Sequence, residues 1–140
     1  SPVTATITVT PSLGTCAGTP QVFTITVNPT PALPSVTPTV TYCQNATANA
    51  LTATALNGHT LLWYTTSTGG VGSATAPTPS TATATTTIYY VSQVNSTTNC
   101  ESNRTAINVV VNASPVIGTS SSNNTSTCAT ATGSIILGGC

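Results

Sequence analysis

Charged side chains are almost missing from this sequence. Arg104 and Glu101 are the only ones in 140 residues, and the net charge is zero, whereas ordinary domains are about 25% charged. A nucleic-acid site needs a cluster of cations, and a calcium module needs several carboxylates for each ion. No apolar run approaches the ~18 residues of a membrane span. We therefore predict no nucleic-acid partner, no metal site and no insertion into a membrane.

Groups that could carry out catalysis are equally scarce. His59 is the single histidine and Glu101 the single carboxylate of a side chain. Nucleophilic catalysis by serine or threonine requires a base together with a group that orients it. The sequence therefore predicts no enzyme and no cofactor. The simplest interpretation of Glu101 and Arg104 is a weak, exposed ion pair.

Threonine and apolar residues dominate what remains. Threonine makes up about a quarter of the chain, and 39% of the residues are hydrophobic, which is unlike the charged, weakly hydrophobic composition of disordered chains. Alternation of apolar residues with threonine is typical of half-buried strands, and no segment shows a long helical period. Strands are predicted at 3–10, 22–27, 39–42, 50–56, 60–66, 82–86, 87–94 and 105–111. Asn57-Gly58 predicts a tight turn between two of them.

A second copy of one segment lies 84 residues along the chain. Val27, Asn28 and Pro31 correspond at this spacing to Val111, Asn112 and Pro115. Cys16 and Cys100 have the same spacing, whereas Cys43 and Cys128 are 85 residues apart. Self-similarity over such a period is typical of tandem arrays.

The strand pattern predicts an all-β chain of antiparallel β-sandwiches, and the repeat predicts that they follow one another in tandem, with partial domains at both ends. Residues 1–28 would be the C-terminal hairpin of a preceding repeat, and the Pro-rich residues 29–38 a semi-rigid linker. A complete sandwich would span 36–113, and residues 114–140 would begin a following repeat. Both end pieces have too little sequence to bury a core alone.

The five cysteines predict structural disulfides in an oxidising, extracellular setting, with unpaired buried thiols as the alternative. Cys43 and Cys100 would pair within the complete domain and add roughly 4 kcal/mol of stability. Cys16 and Cys128 would have partners in neighbouring repeats, or would meet each other between copies in a head-to-tail assembly. Cys140 has no counterpart in the repeat, and pairing with Cys128 stays open.

Trp63 is the single tryptophan and lies in the most apolar predicted strand. We interpret it as a core anchor, as in Ig-like sandwiches. The alternative is a carbohydrate-binding module, for which Tyr64, Tyr89 and Tyr90 are the candidate stacking residues. N-glycosylation sequons, which are frequent by chance in a threonine-rich chain, begin at Asn45, Asn95, Asn103, Asn112, Asn123 and Asn124.

The segment 42–112 resembles the Ig-like repeats of very large secreted surface proteins of Bacteroidota. The shared features are an early YCQ, an LLWYTT strand, GGVGSATAPTP, a YYVSQ strand and a final CES. Residues 15–31 resemble the end of a PKD-like repeat of the same proteins. Residues 127–137 resemble the start of the repeats of gliding-motility adhesins.

The resemblance implies export by the type IX secretion system and a role in adhesion, gliding or filament formation. We therefore expect an extracellular structural segment of a bacterial surface fibre or adhesin, with neighbouring repeats or identical subunits as partners and head-to-tail assembly as one mode. Surface glycans are a further partner to consider. The alternatives are the carbohydrate-binding module and a passive spacer of a secreted enzyme.

Overall fold

The computed structural model describes residues 1–115, which form strands and loops without a helix. Ten strands are present: β1 (Val3–Val9), β2 (Ser12–Leu13), β3 (Cys16–Ala17), β4 (Gln21–Val27), β5 (Ser35–Val36), β6 (Thr39–Cys43), β7 (Ala53–Thr54), β8 (His59–Tyr64), β9 (Thr86–Asn95) and β10 (Thr105–Asn112). The predicted all-β class is confirmed. This part of the chain holds no helix that could cross a membrane.

The main sheet has four strands in the order β6, β10, β9, β8. Strands β8, β9 and β10 are antiparallel, but β6 runs parallel to β10, with Thr39 opposite Asn108 and Cys43 opposite Asn112. β7, which lies between β6 and β8 in the chain, is not part of this sheet. Strands β6, β8 and β10 therefore all run in one direction, and β9 runs in the other. The sheet therefore contains one parallel pair beside the predicted antiparallel ones.

A second, smaller layer consists of β5 and β7, which pair with Val36 opposite Ala53. It covers one face of the main sheet. The buried side chains between the layers are Leu51, Trp63, Val91, Ile107, Val109 and Val111. Trp63, Val91 and Ile107 come from three neighbouring strands of the main sheet, so alternate residues of β8, β9 and β10 form the core.

Two of the predicted strands differ from the structure. Residues 82–84 form a bend in place of a strand: the alternating Ala and Thr are all exposed there, and no strand pairs with them. Of the predicted strand 50–56, only Ala53–Thr54 is formed. The Asn57-Gly58 turn is present: Gly58 has a φ of 74°, and the amide of His59 donates to the carbonyl of Leu56 at 3.1 Å.

The later half of the predicted linker packs on the domain. Pro34 is buried, and Ser35–Val36 is strand β5. The side-chain Nε2 of Gln93 donates to the carbonyl oxygen of Ala32 at 2.7 Å, and its Oε1 accepts from the amide of Leu56 at 2.7 Å. Gln93 is fully buried, so this side chain fixes the entering chain to β9.

Strands β1 and β4 form an antiparallel hairpin, with Val3 opposite Val27. Its tip is the short pair β2–β3, where Gly14 adopts a φ of 62° in the two-residue turn. One face is lined by threonines, and Thr4 Oγ1 lies 3.1 Å from Thr26 Oγ1. The other face is apolar. Among the described residues, this hairpin forms a two-stranded sheet of its own.

Candidate functional site

The cysteines are the first candidate site, and their arrangement differs from the prediction. Cys43 is disulfide-bonded, whereas Cys16 and Cys100 are free thiols. The thiol of Cys100 donates a weak hydrogen bond to the carbonyl of Thr98 at 3.8 Å. Because Cys100 is a free thiol, the predicted Cys43–Cys100 disulfide is not formed in the structure.

The length of β10 gives the physical reason. Cys43 lies opposite Asn112, at the C-terminal end of β10. Cys100 lies in the β9–β10 connection, where its carbonyl accepts from the amide of Asn95 at 3.0 Å, beyond the N-terminal end of β10 at Thr105. Seven residues of strand separate these ends, or about 23 Å, whereas disulfide-linked Cα atoms lie within about 7 Å.

Cys16 lies exposed at the tip of the N-terminal hairpin, as Cys100 lies in the β9–β10 connection. Their similar positions agree with the 84-residue repeat. The predicted pairing of Cys16 with Cys128, and that of Cys128 with Cys140, involves residues outside the described part of the chain.

The two charged side chains meet at Tyr64, on the face of the main sheet opposite the core. The Tyr64 hydroxyl donates to Glu101 Oε1 at 2.6 Å, and the Ser92 hydroxyl donates to the same oxygen at 2.5 Å. The Arg104 guanidinium lies 3.3 Å from the centre of the Tyr64 ring, and its Nη1 donates to the carbonyl of Thr66 at 2.8 Å. Tyr64 thus joins Glu101 and Arg104, and the expected direct ion pair is not formed.

The electrostatics of this cluster follow from its contacts. Burial alone would raise the pKa of Glu101, but hydrogen bonds from Ser92 and Tyr64 and the charge of Arg104 outweigh it, so the pKa of Glu101 lies below its usual value. Burial, followed by the hydrogen bond to Glu101, raises the pKa of Tyr64. The cluster fastens the β9–β10 connection to β8.

The aromatic residues offer little for a sugar to stack on. Trp63 is 4% exposed and belongs to the core. Arg104 covers the ring of Tyr64, and Tyr89 packs against the core. Of the three tyrosines considered for carbohydrate binding, Tyr90 remains, and it is half-buried. Flat stacking on exposed rings, which such a module requires, is not supported by these positions.

The four described sequons are not equivalent. Asn45, Asn103 and Asn112 are exposed. Asn95 is half-buried, and its Oδ1 accepts from the amides of Thr97 and Thr98 at 2.9 and 3.0 Å, so its side chain is already engaged. Asn123 and Asn124 lie outside the described residues. Modification, if it occurs in the described part, would therefore favour the three exposed asparagines.

Gln93 is the structural residue that sequence reasoning missed. It follows Tyr89 and Val91 at alternate positions of β9, so it occupies a core-facing site in an apolar series. A polar residue at such a site must find hydrogen-bonding partners. A glutamine at a core-facing position of an apolar strand was therefore the sequence feature that could have revealed its role. In residues 1–115, every buried side-chain nitrogen and oxygen has a partner.

Comparison with protein families supports the fold. Residues 31–113 match the Ig-like domain family described as CHU_C-associated. The match starts at Pro31, one residue before the carbonyl held by Gln93, and ends just after β10. A comparison with curated proteins finds no match. The matched segment contains both sheet layers and the core between them.

Proposed function

Since the chain belongs to the Ig-like, CHU_C-associated domain family, we propose that it is a structural segment of an extracellular bacterial surface fibre or adhesin built from tandem β-sandwich domains. Its partners are neighbouring repeats or identical subunits, and its export uses the type IX secretion system. In this role the complete domain transmits tension between the units on either side.

The observation that carries the proposal is the position of the two ends of the domain. The chain enters beside Gln93, near one end of the main sheet, where Ala32 is held. It leaves after Asn112, at the opposite end of the same sheet. By the register of β9 and β10, Gln93 and Asn112 are separated along the strands by about nine residues, or about 30 Å. Domains joined through such ends extend in a line.

The parallel pair of β6 and β10 suits such a line mechanically. β6 is the first long strand of the domain and β10 the last, and they run side by side. The amide of Asn108 donates to the carbonyl of Pro38 at 2.9 Å, and that of Gln44 to the carbonyl of Asn112 at 2.8 Å. Tension on the two ends would slide one strand along the other, so all bonds of the ladder would resist together.

Electron microscopy of the producing cells, with antibodies against the 36–113 domain, tests the proposed function. The expected result is labelling of thin filaments or fringes at the cell surface. Labelling that follows a secreted enzyme activity into the medium, with unlabelled surfaces, would show a spacer of a secreted enzyme and contradict the proposal. A chain without the domain's epitopes, probed with the same antibodies, is the control for labelling specificity.

A further inference from the structure

We propose that the apolar face of the N-terminal hairpin binds residues 116–140 of a second copy of this chain. We call this surface the hairpin face. It consists of the outward side chains Val3, Ala5, Ile7, Val9, Phe23, Ile25 and Val27. The proposal rests on the proposed function, because it names the contact through which segments join.

The hairpin face is apolar and uncovered by the described residues. Val3 is 70% exposed, Phe23 48%, Ile25 49% and Val27 64%. A two-stranded hairpin is marginally stable in water, and it gains stability when a further layer or strand covers it. A contiguous apolar patch of this kind is typical of an interaction site.

The repeat indicates what kind of structure covers such a face. At the spacing of 84 residues, Phe23, Ile25 and Val27 correspond to Ile107, Val109 and Val111 of β10. These three counterparts are only 1%, 1% and 5% exposed, and they pack with Leu51 and with residues of β5 and β7. The N-terminal part of a repeat therefore covers the C-terminal hairpin of a repeat.

The register of the two hairpins differs, but their faces agree. In the first hairpin Val27 lies opposite Val3. In the second, Thr87, the counterpart of Val3, lies opposite Val109. The counterpart of Val27 is Val111, so the pairing is shifted by two residues. A shift by an even number of residues leaves the same side chains on the same face. The apolar face of the first hairpin is therefore the equivalent of the buried face of the second.

The outer edge of β4 is a second site for pairing. Among residues 1–115, β4 pairs with β1 on one side, and its other edge has no strand beside it. The equivalent edge of β10 pairs with β6 in parallel. Unpaired amide and carbonyl groups along a strand edge can add a strand from another chain. Within residues 1–115, the hairpin thus has neither the covering layer nor the edge strand that its counterpart has.

Residues 116–140 carry the counterparts of those missing pieces. Pro115 lies 84 residues after Pro31, and Cys128 lies 85 after Cys43. At these spacings the segment corresponds to the stretch that forms β5, β6 and β7 in the complete domain, and the core residue Leu51 corresponds to Ile135 or Ile136. Neither partner carries a charged side chain, so burial would desolvate no ion.

The positions of the two pieces favour a second copy as the source of the segment. The chain leaves the domain at Ser114, whose hydroxyl donates to the carbonyl of Gln44 at 3.2 Å, while the hairpin joins at the other end beside Gln93. These ends are about 30 Å apart along the strands. Contact between the head of one copy and the tail of the next is heterologous and leaves both outer ends open, so it produces a filament.

The test is light scattering on the purified 140-residue chain over a range of concentrations. We expect particle mass to grow in steps of 13.9 kDa, and a synthetic peptide of residues 116–140 to stop this growth. Ile25→Thr removes apolar area from the hairpin face and should raise the concentration for half-assembly roughly tenfold or more. Ile136→Thr in the segment should act in the same direction.

Val22→Thr is the matched control. Val22 lies on the same strand, is 61% exposed and faces the opposite side, so the half-assembly concentration should stay within about twofold, the ordinary size of a surface substitution. Equal effects of Ile25→Thr and Val22→Thr would overturn the proposal. A monomer at every concentration would overturn it as well.

Hydrogen exchange distinguishes the sources of the covering segment. Protected β4 amides in a chain that stays monomeric would show that its own C-terminal segment covers the hairpin, which contradicts a second copy. Protection that appears only with assembly supports the proposal. Neither result changes the mechanical behaviour of the β6–β10 pair within one domain, so failure here is distinguishable from failure of the proposed function.

Discussion

Gln93 and Ala32 are joined by a hydrogen bond of 2.7 Å from the side-chain Nε2 to the backbone carbonyl oxygen. The bond ties the chain that enters the domain to the buried face of a central strand. The position of the entering chain at Ala32 is therefore fixed by the domain itself. In the proposed line of domains, such a junction would limit bending at the point where the chain enters.

Replacing Gln93 tests this junction. Gln93→Leu leaves the amide of Leu56 and the carbonyl of Ala32 without their side-chain partner at part-buried positions, so the free energy of unfolding should fall by about 1 to 2 kcal/mol. Gln44→Leu is the matched control, because its Nε2 bond to the carbonyl of Ala82 is exposed; a loss below about 1 kcal/mol is expected. Urea unfolding followed by Trp63 fluorescence measures both, and equal losses would contradict the junction.

The repeat counterparts predict unequal costs for the same substitution. Ile107→Ala opens a cavity in the core and should lower the free energy of unfolding of the complete domain by about 3 to 4 kcal/mol. Ile25→Ala, on the exposed hairpin face, should lower it by less than about 0.5 kcal/mol in the dilute monomer. Denaturant titration at low protein concentration measures both. A comparable loss for Ile25→Ala would mean that the hairpin is already covered there.

The Glu101 cluster predicts a stability that depends on pH. Because its folded pKa is lowered, ionised Glu101 adds stability above its unfolded pKa, and this is lost as pH falls through the folded pKa. The melting temperature should therefore fall on acidification below about pH 4.5. Glu101→Gln should make the melting temperature depend less on pH in this acid range. An unchanged pH dependence in the variant would exclude this carboxylate as its source.

The same cluster predicts a loss of stability at alkaline pH. The raised pKa of Tyr64 means that its neutral form adds stability below the unfolded pKa, and this is lost as pH rises through the folded pKa. Tyr64→Phe removes the titrating hydroxyl and the hydrogen bond to Glu101, so this variant should melt lower at neutral pH but lose less on alkalinisation. Melting curves between about pH 8 and 11 decide this, around the ordinary tyrosine range.

The cysteine assignment predicts a definite labelling pattern. In the native chain an alkylating reagent should modify exposed Cys16 readily and half-buried Cys100 more slowly, while Cys43 should react only after reduction. Peptide mapping by mass spectrometry under non-reducing conditions identifies each state. A cross-linked peptide that joins Cys43 to Cys100 would contradict the described topology.

The sequence predicted the long strands well because their side chains alternate in polarity between two faces. Residues 3–10, 87–94 and 105–111 alternate in polarity, and β1, β9 and β10 lie there. The same alternation failed at 82–84, where Ala and Thr give little contrast between the two faces and no strand pairs with them. Periodicity reports a contrast between two faces and cannot say whether a neighbouring strand exists.

The contacts between distant segments were harder to predict. Pairing Cys43 with Cys100 fails because β6 and β10 run parallel and put the two cysteines at opposite ends of the domain. The bond between Gln93 and Ala32 spans 61 residues. The polarity pattern of a single strand does not show which strand ends lie next to each other. The direction of β6 in the sheet, which decides the position of Cys43, could therefore not be predicted.

Pulling on single molecules in two directions tests the central claim, that the domain transmits tension between its ends. One pair of anchors lies at the two ends of the domain, at residues 31 and 114, which slides β6 along β10. The other pair lies at Gln44 and Ser114, adjacent ends of the same two strands, which separates the ladder bond by bond. We predict a clearly higher unfolding force for the first direction than for the second. Equal forces in both directions would contradict the claim.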